Sequence, residues 1–288
     1  MTRAPHPRHS LIPLWLWPNL LGLDSPLVAV AWQWLFAKSF GITLPDVFHL
    51  ILGLSAWCIY LADRLYDSWR THDVSHATDR LRFTKQFFIP LTAVMIIAGC
   101  INAWLILVYV PRDFILTGLT TAFLVGVYYT IRLGRNLGFA SIVPREIICG
   151  MLFALGCVIA PFYFATSTMN DLPHFDLAAV FFGVLCSMSC ILISLWERDA
   201  DIATNDRSIA TSASRIVPHI AASITFLSAA CAVLAIFTSW EIFLSLALSA
   251  FALRMLLHME KQLSLVSLRV LADGVLLTPA LFLHHFGF

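Results

Sequence analysis

Residues 177–201 read LAAVFFGVLCSMSCILISLWERDAD, an apolar stretch that ends abruptly in a dense group of charges. A helix needs about 20 mostly apolar residues to cross the hydrocarbon core of a bilayer, and the stretch before Glu197 has that length. The sequence therefore predicts a membrane-spanning helix here, with acidic residues gathered at the end of the span.

The composition of the whole chain agrees with this local pattern. The chain has 288 residues, of which 59% are hydrophobic and 12% charged, and its mean hydropathy is +0.83. A soluble domain carries about 25% charged residues, so this chain has too few to cover a soluble surface. The formal net charge of +1 also argues against a nucleic-acid partner. These numbers predict an all-α, polytopic membrane protein.

Similar apolar stretches recur along the chain, and we count nine predicted spans in one domain covering residues 1–288. We expect the segment before them, residues 1–24, to be cytoplasmic or to lie at the membrane interface, because prolines interrupt its apolar part. The nine predicted spans are 26–42, 47–62, 87–110, 114–131, 147–166, 177–196, 216–240, 242–257 and 265–284.

The positive charges predict how the spans are oriented. All but Lys38 and Arg112 of the 18 Lys and Arg residues fall on one side when the loops are sorted alternately. By the positive-inside rule that side is the cytoplasm, so the N-terminus is predicted inside and, with nine spans, the C-terminus outside. We expect an integral protein of a cell membrane, such as a bacterial inner membrane.

Acidic residues concentrate after the second and sixth spans. Asp63 and Asp67 are four residues apart, as are Glu197 and Asp201, with Asp199 between the latter two. On a helix each pair shares a face, where like charges repel unless a cation lies between them. Carboxylate oxygens are ligands that Mg²⁺ accepts, commonly together with substrate phosphates. The four-helix offset between the pairs predicts a parallel internal repeat.

Basic and aromatic residues lie at the cytoplasmic ends of the predicted spans, beside the acidic pairs after spans two and six and also after spans four and eight. They could bind a phosphate group directly, or they could be ordinary positive-inside flanks of membrane helices. The acidic pairs, likewise, could simply solvate helix ends. The basic and aromatic residues in question are Arg64, Arg198, Tyr129, Arg132, Arg135 and Lys261.

At these residues the sequence resembles the UbiA superfamily of intramembrane prenyltransferases, which has nine helices and two Asp-rich motifs after helices two and six. Asp63 and Asp67 match the aspartates of the first motif, Asn-x-x-x-Asp-x-x-x-Asp. Glu197 and Asp201 match a variant of the second. Two departures mark a divergent member: Ile59 replaces the Asn of the first motif, and Glu197 begins the second.

The resemblance implies a transferase of alkyl groups other than methyl. It would transfer a prenyl group from an isoprenoid diphosphate to an aromatic or lipid-soluble acceptor, release pyrophosphate, and use a Mg²⁺-dependent site that faces the cytoplasm. The metal ligands would be Asp63, Asp67, Glu197, Asp199 and Asp201. Arg132 would act in catalysis, and the substrate would contact Arg64, Arg198, Tyr129, Arg135 and Lys261.

Other interpretations stay open. A secondary transporter built from a parallel repeat would need acids near mid-membrane, whereas nearly all acids here fall at helix ends. A non-catalytic UbiA-like protein or a terpene cyclase would keep the same fold. Asp273, inside the last span, is a functional candidate, although an ion pair with Arg269 one turn earlier is the simpler interpretation. The sequence does not specify prenyl chain length, acceptor or oligomeric state.

Overall fold

The computed structural model describes residues 13–70, 78–134, 144–166, 173–203, 209–212 and 217–286, and these residues form helices and no strand. Two 3₁₀ segments, Leu14–Leu16 and Val275–Phe282, lie near the two ends of the chain. The α-helices are α1 (Trp17–Leu21), α2 (Asp24–Ser39), α3 (Asp46–Arg70), α4 (Asp79–Gln86), α5 (Phe88–Tyr109), α6 (Arg112–Gly134), α7 (Arg145–Thr166), α8 (Phe175–Trp196), α9 (Arg198–Ala203), α10 (Ile209–Ser212), α11 (Val217–Phe237), α12 (Trp240–His258) and α13 (Leu265–Gly274).

Seven helices in the described residues are long and apolar enough to cross a membrane. An eighth candidate arises if α2 is joined to the short helical segment before it, from which it is bent by 81°. The turn between them contains Gly22 at φ +70°, a left-handed conformation that favours glycine. All nine stretches predicted from the sequence fall on helices. The all-helical membrane class is therefore confirmed.

Helix α3 extends well past its predicted span of 47–62, since it continues to Arg70. Residues beyond the apolar stretch, including Asp63 and Asp67, are therefore helical. An apolar run predicts only the part of a helix that lies in the hydrocarbon, while the backbone can continue the helix into a more polar zone. Asp63 and Asp67 consequently share one face of α3, as their spacing predicts.

The main core lies where α2, α7, α8 and α12 pack together. Trp32 of α2 stacks on Phe182 of α8 with ring centroids 4.4 Å apart. Its indole nitrogen donates a 2.7 Å hydrogen bond to the carbonyl oxygen of Leu276 in the C-terminal 3₁₀ segment. These contacts attach the last segment of the chain to the first long helix and make one continuous packed body.

Candidate functional site: an apolar cavity beside a polar cluster

A cavity of about 580 Å³ lies between α2, α3, α6 and α7, with Ile106 of α5 and the following Val110 completing its wall. Most of its lining is aliphatic or aromatic. At one end it is bounded by Ser25, Tyr60, Asp63 and Cys149, and at the other by Phe48 and its neighbours. Phe48 and Asp63 are 15 residues apart on α3, so the cavity extends roughly 22 Å along that helix. These dimensions suit a long lipophilic molecule.

The cavity reaches the surface of the protein along α6. Leu119 of α6 lines it and is nevertheless 59% exposed. Ile59 of α3 lines it as well and is an exposed residue of the described surface. In a bilayer such a surface faces lipid, so an apolar ligand can enter sideways without crossing water.

Beside the Asp63 end, Tyr60 joins the cavity wall to two arginines. Arg64, which is 4% exposed, lies with its guanidinium carbon 4.5 Å from the Tyr60 ring centroid. The phenolic oxygen accepts hydrogen bonds from Nη2 of Arg64 at 3.2 Å and from Nη1 of Arg80 at 2.9 Å. Arg64 also donates to the backbone oxygens of Leu20 and Asn19 at 3.0 and 2.6 Å. These bonds fasten α1 and α4 to α3.

Three carboxyl groups face the same arginines. Glu197, which directly follows α8, forms an ion pair with Arg269 of α13. Asp273, one turn further along α13, and Asp24, at the start of α2, both lie close enough to Arg80 to raise its pKa. The polar cluster, as we call it, comprises Asp24, Tyr60, Arg64, Arg80, Glu197, Arg269 and Asp273.

Arg80 is the member of the polar cluster that interacts with all of these acids. Burial lowers the pKa of Arg80, but surrounding groups more than offset this, and the pKa lies above its ordinary value. The groups that raise it are Tyr60, Glu197, Asp24 and Asp273. Arg80 therefore remains charged and offsets the negative charge of these acids.

A smaller cavity of about 180 Å³ opens on the other side of this cluster, between α1, α4 and α13. Arg80, Arg82 and Arg269 line it together with the hydroxyl-bearing Thr78. Asp79 lines the cavity too and forms an ion pair with Arg82, while Arg269 is paired with Glu197, so the three guanidinium groups there are partly offset by carboxylates. Tyr60 lines the large cavity, and its hydroxyl accepts a hydrogen bond from Arg80, which lines the small cavity. The hydrogen-bonded side chains of these two residues therefore lie between the two cavities.

The acidic residues predicted to bind metal do not all meet within the described part of the chain. Asp63 lines the large cavity and Asp67 follows it on the same face of α3. Glu197 is engaged with Arg269, and Asp199 is exposed. No cluster of three or more His, Cys, Asp or Glu side chains suited to a metal ion is found among the described residues. Of the predicted ligands whose side chains the structure describes, Asp63 and Asp67 are the two that share one helix face.

The other predicted site residues have varied positions. Arg198 is exposed at the start of α9, and Lys261 is exposed in the turn after α12. Arg135 lies outside the described residues. Of Tyr129, Arg132 and Asp201 the structure describes the helical backbone alone, in α6 and α9. Arg269, expected beside Asp273, has its ion pair with Glu197, which comes from a different helix.

The sequence does not predict that Tyr60, Arg80 and Asp24 lie at the centre of the polar cluster. For Tyr60 a signal existed, because it lies four residues before Arg64 and therefore one turn away on the same helix face. For Arg80 and Asp24 no local signal existed, since their partners are far away in the sequence. A second polar pair was missed as well: Gln33 of α2 lines the large cavity and its Oε1 is 2.7 Å from Nδ1 of His49.

Taken together, these features define an all-helical integral membrane protein with a ligand-sized apolar cavity that ends at an acidic residue and a cluster of arginines. Comparison of the chain with protein-family models, with curated protein sequences and with solved structures finds no significant match. Functional conclusions accordingly depend on the geometry of the site and on the motif resemblance alone.

Proposed function

We propose that this protein is a membrane-embedded prenyltransferase of the UbiA type, with nine spans arranged as two four-helix repeats and one final span. It transfers a prenyl group from an isoprenoid diphosphate to a lipophilic, aromatic acceptor and releases pyrophosphate. The observation that carries this proposal is the placement of Asp63 at the end of a long apolar cavity, next to the arginines of the polar cluster.

The cavity supports this proposal because an isoprenoid diphosphate is a long hydrocarbon with a highly charged end. The aliphatic and aromatic walls around Leu52, Phe153 and Ile159 match the hydrocarbon, and the Asp63 end matches the charged group. The apolar walls also keep water from an allylic cation once the diphosphate has left. The opening along α6 lets a tail longer than the cavity extend into lipid.

Asp63 and Asp67 would hold Mg²⁺, since paired carboxylates on one helix face are a donor set that this ion accepts. Bound there, Mg²⁺ would offset the charge that develops on the leaving diphosphate. Arg80 and Arg82 line the small cavity beside this end and donate N–H groups that a phosphate oxygen accepts. We assign further contacts to Arg132 and to the Glu197–Asp201 segment, as the motif resemblance implies.

Within this proposal the polar cluster has a positioning role. Arg64 is committed to Tyr60 and to two backbone oxygens of the α1 segment, so it fixes the wall of the cavity. Glu197 holds Arg269 at the small cavity. The active end faces the cytoplasm in this proposal, since the basic residues of the polar cluster lie on the positively charged side of the predicted topology.

The proposal is tested by turnover. Purified protein in lipid nanodiscs is given Mg²⁺, isoprenoid diphosphates of several lengths and pooled lipophilic phenols or quinols, and pyrophosphate release is measured. We expect release that falls about 100-fold or more in Asp63→Asn. Asp113→Asn is the matched control, because Asp113 is an exposed aspartate at the opposite end of a membrane helix. Absence of both turnover and Mg²⁺-dependent diphosphate binding would contradict the proposal.

The identity of the products separates related activities. Pyrophosphate release with a terpene product and no prenylated acceptor identifies a cyclase. Diphosphate binding without turnover under any acceptor identifies a non-catalytic member of the same fold.

One observation favours a different class of function, a proton-coupled carrier. Asp273 is an acidic residue within a candidate membrane-spanning segment that changes from α to 3₁₀ geometry immediately after Gly274. Intramembrane acids at a helix break are typical of ion-coupled transporters. Proton uptake in proteoliposomes that depends on an added solute, and that is lost in Asp273→Asn, would establish this class.

A further inference from the structure

Gln33 is an unusual residue in the wall of the large cavity. It belongs to α2, is 1% exposed, and lines the cavity among apolar neighbours. Its side-chain oxygen accepts a hydrogen bond from Nδ1 of His49, the first-turn histidine of α3, at 2.7 Å. This bond fixes the plane of the amide and determines which atom is left for another partner.

The atom that is left is the amide nitrogen, which carries two N–H donors. Among the residues that the structure describes, no group accepts from it. Because Gln33 lines the cavity, these N–H groups are accessible from it and can donate to a ligand that carries an acceptor atom. A pure hydrocarbon tail has no atom that could accept these hydrogens.

A water molecule is a poor partner at this position. Buried waters typically have two to four polar neighbours. The wall residues around Gln33 on α2 and on the first turns of α3 are Ala29, Phe48, Ile51 and Leu52, none of which has a polar side-chain atom. A ligand that brings one strong acceptor and an otherwise apolar body fits this combination of one donor group and hydrocarbon walls.

We propose that this end of the cavity is a binding site for a lipophilic molecule with a carbonyl oxygen, which accepts hydrogen bonds from the Gln33 amide. The aromatic rings of Phe48 and Phe114, whose centroids are 5.8 Å apart, form the adjacent wall and suit a ligand with a flat ring. His49 positions the amide and does not touch the ligand. Gln33 is eight residues, roughly 12 Å along α2, from Ser25 at the Asp63 end of the cavity, so this site lies away from the proposed diphosphate end and is tested separately from prenyl transfer.

The test uses two probes that differ in one group. Benzophenone has a carbonyl where diphenylmethane has a methylene, and the rest of each molecule is the same. Binding of both to the purified protein in detergent is measured by native mass spectrometry and by calorimetry. We expect benzophenone to bind about three- to tenfold more tightly, which corresponds to one net hydrogen bond.

Variants then assign the preference to the amide. Gln33→Leu is expected to bind the two probes equally, and His49→Leu to retain part of the preference. Thr121→Val is the matched control, because Thr121 also lines the cavity but its hydroxyl is already bonded to the backbone oxygen of Thr117. The control is expected to keep the full preference of the unmodified protein.

Irradiation of bound benzophenone adds a readout that needs no variant, because the excited carbonyl inserts into nearby C–H bonds. We expect labels on residues such as Ile51 and Leu52.

Equal affinity of the two probes for the unmodified protein would overturn the proposal, as would a preference that survives Gln33→Leu. Labels confined to the Asp63 end, or tighter binding of the alcohol benzhydrol than of benzophenone, would overturn it as well. Any of these results leaves the prenyl-transfer proposal intact, since that is tested by pyrophosphate release.

Discussion

Tyr60 connects the apolar cavity with the polar cluster through a single oxygen atom. That oxygen accepts from both Arg64 and Arg80, while the ring lines the cavity. An ideal Cβ placed on Gly22 would lie 3.2 Å from the Tyr60 ring, so the backbone of the turn between α1 and α2 also packs against it. Tyr60 is therefore a residue on which the cavity wall, the N-terminal turn and helix α4 all depend.

We expect Tyr60→Phe to lower the free energy of unfolding by about 1–3 kcal/mol, because two guanidinium groups lose one acceptor inside the protein. Thermal and denaturant unfolding in detergent micelles would measure the change. The control is Tyr109→Phe, since Tyr109 is exposed at the end of α5 and keeps its ring contact with Trp104 without the hydroxyl. Equal stability of the two variants would show that the phenolic oxygen does not hold the arginines.

The ion pair between Glu197 and Arg269 gives a second prediction at this scale. Its two side chains are 16% and 8% exposed, so Glu197→Gln leaves a charged guanidinium in a poorly solvated place. We expect a loss of about 3–5 kcal/mol. The exposed pair of Asp79 and Arg82 is the control, and Asp79→Asn there should change stability by less than about 1 kcal/mol.

A double variant tests whether the loss of stability comes from breaking the Glu197–Arg269 ion pair rather than from any substitution at this position. Glu197→Gln combined with Arg269→Met removes both charges and should recover part of the stability that Glu197→Gln loses. A double variant that is as unstable as the sum of its two single changes would contradict the pairing.

These residues also show which side-chain neighbours can be predicted from the sequence and which cannot. The four-residue spacing of Asp63 and Asp67 correctly predicts a shared helix face, because helical geometry alone decides it. The partner of Glu197 could not be predicted in this way. Arg269 follows it by many tens of residues, and nothing local indicates that α13 packs beside the end of α8.

At the scale of helices, Gly150 of α7 marks the closest approach between α7 and α8. A Cβ at this position would overlap the backbone nitrogen and the Cα of Ser187. Backbone atoms cannot rotate out of the way as a side chain can. The hydroxyl of Ser187 bonds the carbonyl oxygen of Ile147 across the same contact, at 3.3 Å. The close packing that small residues permit in membrane helices is thus present here.

We expect Gly150→Ala to destabilise the protein by about 1–3 kcal/mol, because α7 and α8 must move apart. Gly156→Ala on the same helix is the matched control: its Cβ would meet only Leu52 Cδ1, at 3.9 Å, which is an ordinary contact. That control should be neutral or slightly stabilising, since alanine favours helix over glycine by up to about 1 kcal/mol. Unfolding in micelles measures both, and a similar loss in both variants would contradict the close approach.

The positions of the helices are the feature of this structure that the sequence predicts best. Apolar runs predicted where the long helices of the described residues lie, and seven of these helices have the length and composition that a bilayer requires. Their ends were less predictable. Helix α3 continues to Arg70 past the apolar run, and the last predicted span changes to 3₁₀ geometry after Gly274. Both features depend on contacts with neighbouring helices, which hydropathy does not record.

For the whole molecule, the asymmetric distribution of Lys and Arg predicts which face is cytoplasmic. Alkaline phosphatase, which is active only outside the cytoplasm, can be fused after Thr43, between α2 and α3, and after Thr78, just before α4. We expect activity from the first fusion and none from the second. Green fluorescent protein at the same positions should give the reverse pattern. Activity from the Thr78 fusion would place the polar cluster on the outer side.

Binding of an isoprenoid diphosphate is the property on which the proposed activity depends. The most direct measurement is equilibrium binding of radiolabelled geranylgeranyl diphosphate to the protein in nanodiscs, with and without Mg²⁺. We predict saturable, Mg²⁺-dependent binding that is displaced by unlabelled ligand, weakened at least about tenfold by Asp63→Asn, and unchanged by Asp113→Asn. No binding, or binding that is indifferent to both Mg²⁺ and Asp63, would contradict the assignment of the cavity to this substrate.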